Sequence, residues 1–172
     1  MKYMEIGILP KTSLRLKGKN ASFVVNPEEK STFNATILLG KAQSLAKVSE
    51  DDVVIDGAGE YEIGGVKITG IRSGSEVLYS LRIDEVDVAL GTLGALDALH
   101  TKMKEYDVVV VFCDEVRNAS FLTSLDSRVM IFYGEKAQEI VKASGKDNVA
   151  EMGKYVVTKD KLPQEVETIV LE

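Results

Sequence analysis

The chain has 172 residues, 45% of them hydrophobic and 28% charged, which suits a globular domain with a sizeable core and not a disordered or fibrous chain. Its 21 basic and 27 acidic residues leave a net charge of −6, which argues against nucleic acid or an anionic membrane as the main partner. The single cysteine, Cys113, has no internal partner and fits a reducing cytoplasm; no apolar run nears the ~20 residues that span a bilayer, and the N-terminus carries no signal-peptide pattern.

The first half reads as β-structure. Residues 3–9 (YMEIGIL) form a strand that Pro10 ends, and residues 13–18 (SLRLKG) alternate as a half-buried strand does. Residues 15–20 (RLKGKN) are a small basic cluster, expected to be a solvated turn. Residues 21–26 (ASFVVN) follow, stopped by Asn26-Pro27. Residues 35–40 (ATILLG) make a short strand, and residues 41–48 (KAQSLAKV) have room for at most two helical turns. Residues 52–57 (DVVIDG) are a strand, and residues 58–74 form a hairpin about Gly64-Gly65. Two more strands, residues 76–84 and 86–91, meet at the acidic turn Asp84-Glu85.

The second half alternates. Ala95, Leu96, Leu99 and Met103 give residues 95–106 the stripe of an amphipathic helix. Residues 107–113 (DVVVVFC) are apolar throughout, as in a strand buried on both faces. Residues 118–125 suggest a short helix capped by Asn118, residues 127–134 a strand, and residues 135–145 a helix ending at Gly145. Two last strands flank Pro163. Strands dominate, no linker divides the chain, and the expectation is one domain over residues 1–172: an α/β (α+β) sandwich of two sheets with helices outside.

Residues 87–99 (DVALGTLGALDAL) place a Gly-Thr-Leu-Gly turn between a strand and a helix, a position that often carries chemistry. Only the Thr92 hydroxyl could react there, and a threonine nucleophile needs a base within hydrogen-bond reach. The sole histidine, His100, falls inside the predicted helix, so Lys11 or Lys41 would have to serve after a strong pKa depression. Cys113 is followed by Asp114 and Glu115, which raise a thiol pKa, so it reads as a buried strand-end residue. Glu60 and Glu62 share one strand face, near Asp56, and could form a carboxylate pair, though a structural role is favoured. Gly57-Ala58-Gly59 lacks the lysine and helix of a phosphate loop. Met4, Met103, Met130 and Met152 read as core filler.

Residues 51–71 (DDVVIDGAGEYEIGGVKITGI) resemble a signature segment, VIDGPGEYEVGGV, of small metallo-β-lactamase-fold hydrolases of bacteria and archaea. Residues 9–27 (LPKTSLRLKGKNASFVVNP) resemble their opening, LGHSCFRIKGKNATVVTDP, and residues 83–94 (IDEVDVALGTLG) resemble IDGIRICHLGDLG. The closing residues 158–172 resemble that group's end, so the likeness runs through nearly the whole chain. It implies a four-layer αββα sandwich, here shortened. It also implies chemistry through one or two divalent metals, usually zinc, held by imidazoles and carboxylates at one rim, where the metal lowers the pKa of bound water to ~7.

Position by position, the resemblance implies that those ligands are gone. The H-x-H-x-D-H motif is matched by Gly40, Lys41, Ala42, Gln43 and Ser44. Ala89 stands for the histidine and Thr92 for the bridging aspartate of HLGDLG. Tyr133 or Gly134 fills the late histidine, Lys11 the early one, and Asn26 the aspartate of TDP. Gly57, Gly59, Glu60, Tyr61, Glu62 and Gly65 carry the family signature as structural residues. The expectation is a non-catalytic member of the fold, with no cofactor, that binds a protein partner or its own copies. A metal-dependent or atypical hydrolase of that superfamily, the atypical site built on Thr92, Lys41, Asp56 and Glu60, and a small-ligand binder in the vestigial cleft are the alternatives.

Overall fold

Alternating side chains set the first sheet. In Leu14–Lys17 the two leucines turn to the core while Arg15 and Lys17 face outward. The computed structural model describes residues 2–10, 13–30, 32–40 and 48–172. In chain order, the described strands and α-helices are β1 (Met4–Ile8), β2 (Leu14–Lys17), β3 (Ser22–Val25), β4 (Ala35–Ile37), β5 (Val54–Ile55), β6 (Gly59–Ile63), β7 (Val66–Ser73), β8 (Glu76–Ile83), β9 (Val86–Thr92), α1 (Leu93–Leu99), β10 (Tyr106–Phe112), β11 (Ser127–Tyr133), α2 (Ala137–Ala143), β12 (Val149–Met152), β13 (Lys154–Val157) and β14 (Glu167–Leu171). One sheet has the order β13-β1-β2-β3-β4-β5 and the other β12-β14-β11-β10-β9-β8-β7-β6.

The inner faces of the two sheets share one core, with Ile6, Leu16, Phe23 and Ile37 from the first and Tyr79, Leu90, Val110 and Ile131 from the second. A second cluster joins the outer face of the larger sheet to α1 and α2, through Ala89, Val109, Val111 and Phe132 below and Leu96, Leu99, Ile140 and Val141 above. Within β10, Val108, Val110 and Phe112 join the first cluster and Val109 and Val111 the second, which is why residues 108–112 are apolar without a break. Each such buried aliphatic or aromatic side chain stabilises by about 1.5–3 kcal/mol. The result is the mixed α/β two-sheet sandwich, with its described α-helices on the outside of the larger sheet. Most of residues 41–48, the two turns of helix expected after β4, lie outside the described residues. No helix among the described residues is long and apolar enough to cross a membrane.

Three elements differ from expectation. The helix predicted over 95–106 starts at Leu93 and gives way to a 3-10 turn at residues 100–102. There the His100 ring donates from Nδ1 to the Asp97 carbonyl at 2.6 Å, so the acceptor that a longer helix would offer to Thr101 is already taken. Residues 118–125 form a 3-10 turn over Ser120–Ser124 and no α-helix. The hydroxyls of Thr123 and Ser124 donate to the carbonyls of Ser120 and Phe121, which competes with helix propagation; Asn118 still accepts from the Ser120 N–H at 2.9 Å. The short strand β12, not foreseen, pairs in parallel with β14 and extends the sheet.

Candidate functional site

Parallel pairing gathers the candidate rim. β3 lies parallel to β4, and β9, β10 and β11 are parallel neighbours, so their carboxyl ends emerge together. Asn26, Gly40, Thr92, Tyr133 and Gly134 stand at these ends. Ala89 does not: it lies three residues back in β9 and is buried on the outer face beneath α1. Lys11, Lys41, Ala42, Gln43 and Ser44 lie outside the described residues.

Asn26, Gly40 and Thr92 are each engaged in holding backbone. Asn26 takes φ +46°, and its Oδ1 accepts from the Leu39 N–H at 3.1 Å. Its carbonyl accepts from the Ser13 hydroxyl at 3.0 Å, and that same hydroxyl accepts from the Glu28 N–H at 3.1 Å. The ends of β3, β4 and the chain after β1 are thereby tied together. Gly40 bridges to Glu76 across the sandwich, and Val77 donates to the Leu39 carbonyl at 3.0 Å. Beside them the buried Tyr79 hydroxyl donates to the Leu38 carbonyl at 2.9 Å and also lies 3.3 Å from that of Ile55. Burial is the main reason its phenol pKa is pushed far above the ordinary range.

Thr92 is the N-cap of α1, with extended backbone and Oγ1 accepting from the Ala95 N–H at 3.1 Å. In the Gly-Thr-Leu-Gly turn, the hydroxyl oxygen thus serves the helix. Thr92→Ala is expected to cost about 1 kcal/mol of stability and Thr92→Ser far less, as read by urea denaturation.

Between Thr92 and Tyr133 stands a residue that sequence reasoning passed over. Phe112 is in register with Thr92 on one side and Tyr133 on the other. Strand spacing puts Thr92 and Tyr133 roughly 10 Å apart, with Phe112 midway. The rings of Phe112 and Tyr133 pack at 5.1 Å between centroids, tilted by 38°. An aromatic pair thus fills this stretch of the rim. The signal was an aromatic side chain at the end of the apolar run 107–113, visible only once strand register is known. The Tyr133 ring is fully buried and its hydroxyl has no hydrogen-bond partner among the described residues. Desolvation, with smaller contributions from Cys113 and Asp114, holds that phenol neutral well beyond the ordinary range.

Cys113 points into the outer cluster, with Sγ 3.7 Å from the Val111 carbonyl. Burial first, then Asp114, pushes its pKa from the ordinary 9.0 up to about 12. The folded chain at pH 8 is therefore expected to resist a thiol reagent that reacts fully in denaturant. Because the unfolded thiol ionises first, its contribution to stability is complete below pH 9 and is lost as pH rises through 9 to about 12. Tyr79, Tyr133 and Tyr155, all raised chiefly by burial, add to this with the same sign at higher pH. The urea midpoint is expected to fall steadily between pH 8 and 11.

The signature residues lie away from this rim row. The Tyr61 hydroxyl donates to the Gly57 carbonyl at 3.0 Å, closing the turn that carries Gly59 into β6. That carbonyl sits 2.6 Å from where a Cβ on Gly70 would stand, so β7 needs glycine there. Gly65 forms the β6–β7 turn with Gly64, both at positive φ. Glu60 and Glu62 are exposed on one face of β6. His100, packed on Phe121 with ring centroids 5.4 Å apart, lies beyond the far end of α1, at the opposite end of the sheet from Thr92.

The metal that the resemblance implies does not fit these residues. Among the described residues, no three of His, Cys, Asp and Glu are grouped so as to hold an ion. The residues outside that description include none of these four types. The described positions that the resemblance assigns to ligands offer an amide already bonded, a capping hydroxyl and a buried neutral phenol, none of which is a strong zinc ligand.

The sequence matches no protein-family model and no curated protein. Solved structures do match. A Thermotoga maritima protein assigned as a zinc-dependent hydrolase of the metallo-β-lactamase superfamily aligns with a TM-score of 0.68 at 18% identity, covering 98% of this chain and 100% of its own. A Parabacteroides distasonis protein assigned as a metal-dependent hydrolase aligns with a TM-score of 0.58 at 14% identity, covering 99% of this chain and 94% of its own. Igni18, a metallo hydrolase of the archaeon Ignicoccus hospitalis, aligns with a TM-score of 0.58 at 9% identity, covering 91% of this chain and 99% of its own. With two sheets face to face, helices packed outside the larger one and this agreement over nearly its full length, the chain has the metallo-β-lactamase fold.

Proposed function

We infer that the chain is a non-catalytic scaffold of this fold, acting by binding a protein partner or further copies of itself. The observation that supports it is the row Thr92–Phe112–Tyr133. Two of its members stand where the resemblance puts metal ligands, and they now cap a helix and pack an aromatic pair. Among the described residues, that row offers a Lewis acid no imidazole and no carboxylate. The test is metal content: the chain purified without chelator and measured by inorganic mass spectrometry is expected to hold far less than one zinc per molecule. It is also expected to be inactive on ester, lactone and phosphodiester panels with or without added zinc or manganese. Stoichiometric tightly held metal, or turnover that metal supports, overturns this reading.

A second reading, a small polar ligand in the vestigial cleft, is favoured by one observation: the Tyr133 hydroxyl is buried with no partner among the described residues. A buried unsatisfied hydroxyl costs about 1–3 kcal/mol. If nothing meets it, Tyr133→Phe leaves the melting temperature unchanged or raises it. That is the outcome expected under the scaffold reading, and a clear fall in melting temperature would favour the ligand reading instead.

A further inference from the structure

β6 is the outermost described strand of the larger sheet, so one of its edges pairs with β7 and the other pairs with no strand among the described residues. Register decides what that edge shows. The two-residue Gly64-Gly65 turn closes on the pair Ile63–Val66, which is hydrogen-bonded in such hairpins. By alternation, Tyr61 and Gly59 also bond to β7, and the N–H and C=O groups of Glu60 and Glu62 point away from the sheet. Both carboxylates are exposed, and neither has an ion pair or hydrogen bond among the described residues; Lys67, opposite Glu62 in the register, closes no ion pair with it. A groove of about 380 Å³ runs beside them over Lys67 and Thr69.

The other face of the strand is apolar. Tyr61 and Ile63 are half-buried and only partly covered by the core. The chain passes from β5 to β6 in three residues, so the outermost strands of both sheets meet on this side, and Val53 just ahead of β5 is 49% exposed. The strand is also anchored, by the Tyr61 bond to Gly57 and by its pairing with β7, which the long β7–β8 ladder backs.

We propose that β6 is a docking edge for an extended basic segment of a partner protein, in which lysine or arginine alternates with apolar residues. The partner's backbone pairs with Glu60 and Glu62, its basic side chains meet the two carboxylates, and its apolar side chains cover Tyr61 and Ile63. Edge charges commonly deter unspecific pairing. Here they are of one sign, so they reject acidic strands and a second β6, where like charges would face each other, and they favour a basic strand. The proposal rests on the binding reading above and names the chemistry of its partner.

The test uses the full chain, isotope-labelled, titrated with a heptapeptide of alternating lysine and valine. The control peptide has the same composition with lysines and valines in two blocks. Amide shifts confined to residues 59–63, and binding by the alternating peptide at least ~10-fold tighter than by the block peptide, are expected. The double variant Glu60→Lys with Glu62→Lys weakens binding at least ~10-fold. Glu62→Pro removes only an outward N–H and has the same effect; should it fail to fold, the charge-reversal variant decides alone. Equal binding of both peptides, shifts elsewhere, no binding at ~1 mM peptide, or a dimer in light scattering that Glu62→Pro abolishes each overturns the proposal. Zinc content is measured separately, so a metal-loaded enzyme would sink the scaffold reading, whereas a failed titration sinks only this docking edge.

Discussion

Gly134→Ala is expected to lower stability by about 3–4 kcal/mol, a large part of the 5–15 kcal/mol that holds a typical domain together. Two effects add. Gly134 sits at φ +106°, where any side chain is strained by about 1–3 kcal/mol. A Cβ there would also stand 2.6 Å from the Cys113 carbonyl oxygen and 3.0 Å from the Phe112 ring. Neither neighbour can retreat. The Cys113 N–H is bonded to the Tyr133 carbonyl at 2.8 Å, and its own carbonyl accepts from the Lys136 N–H at 3.0 Å. For a domain of this size the melting temperature should drop by roughly 10 °C. Gly145→Ala is the control: φ is again positive, at +68°, but nothing lies within 4 Å of the new atom. Its cost should stay near ~1 kcal/mol. Equal losses in the two variants would show that the Cys113 contact carries no energy.

Phe112→Ala should cost about 3–5 kcal/mol, as deletion of a buried aromatic ring does. Its consequence is local as well as global. The ring lies between Thr92 and Tyr133, so its removal leaves a hole at the row where the rim is filled. That hole would be lined mostly by apolar groups, and a small aromatic molecule such as phenol should bind it and raise the variant's melting temperature. Zinc should not, because emptying the space supplies no ligand. A zinc-dependent rise in the melting temperature of Phe112→Ala would show that donors for the metal exist and would contradict the account of this rim.

The strands were legible because each carries its own pattern. Leu14, Arg15, Leu16 and Lys17 alternate, and residues 108–113 show no polar break because both faces of β10 are covered there. The turns at Gly64-Gly65 and Asp84-Glu85 take the positive φ that such hairpins require. β12 was illegible because residues 149–152 have little pattern of their own; the strand exists because β14 offers a free edge. At the rim, sequence could say which side chains were missing, since that is a matter of residue type. It could not say what filled the space. The capping bond of Thr92 follows from a helix that begins two residues earlier than its apolar stripe suggests. The meeting of Phe112 with Tyr133 follows from the parallel register of three strands, which no local pattern encodes.

The partnership of β1 with β13, in which Met4 lies opposite Val157, bears on how the molecule is made. A ribosome delivers the first strand long before its neighbour, so during synthesis that strand waits with one side unsatisfied while most of the polypeptide emerges. Completion of the smaller sheet by β13 is therefore a late event, slow in the way that pairings distant along the chain generally are. In that interval the nascent chain is a natural client for a chaperone.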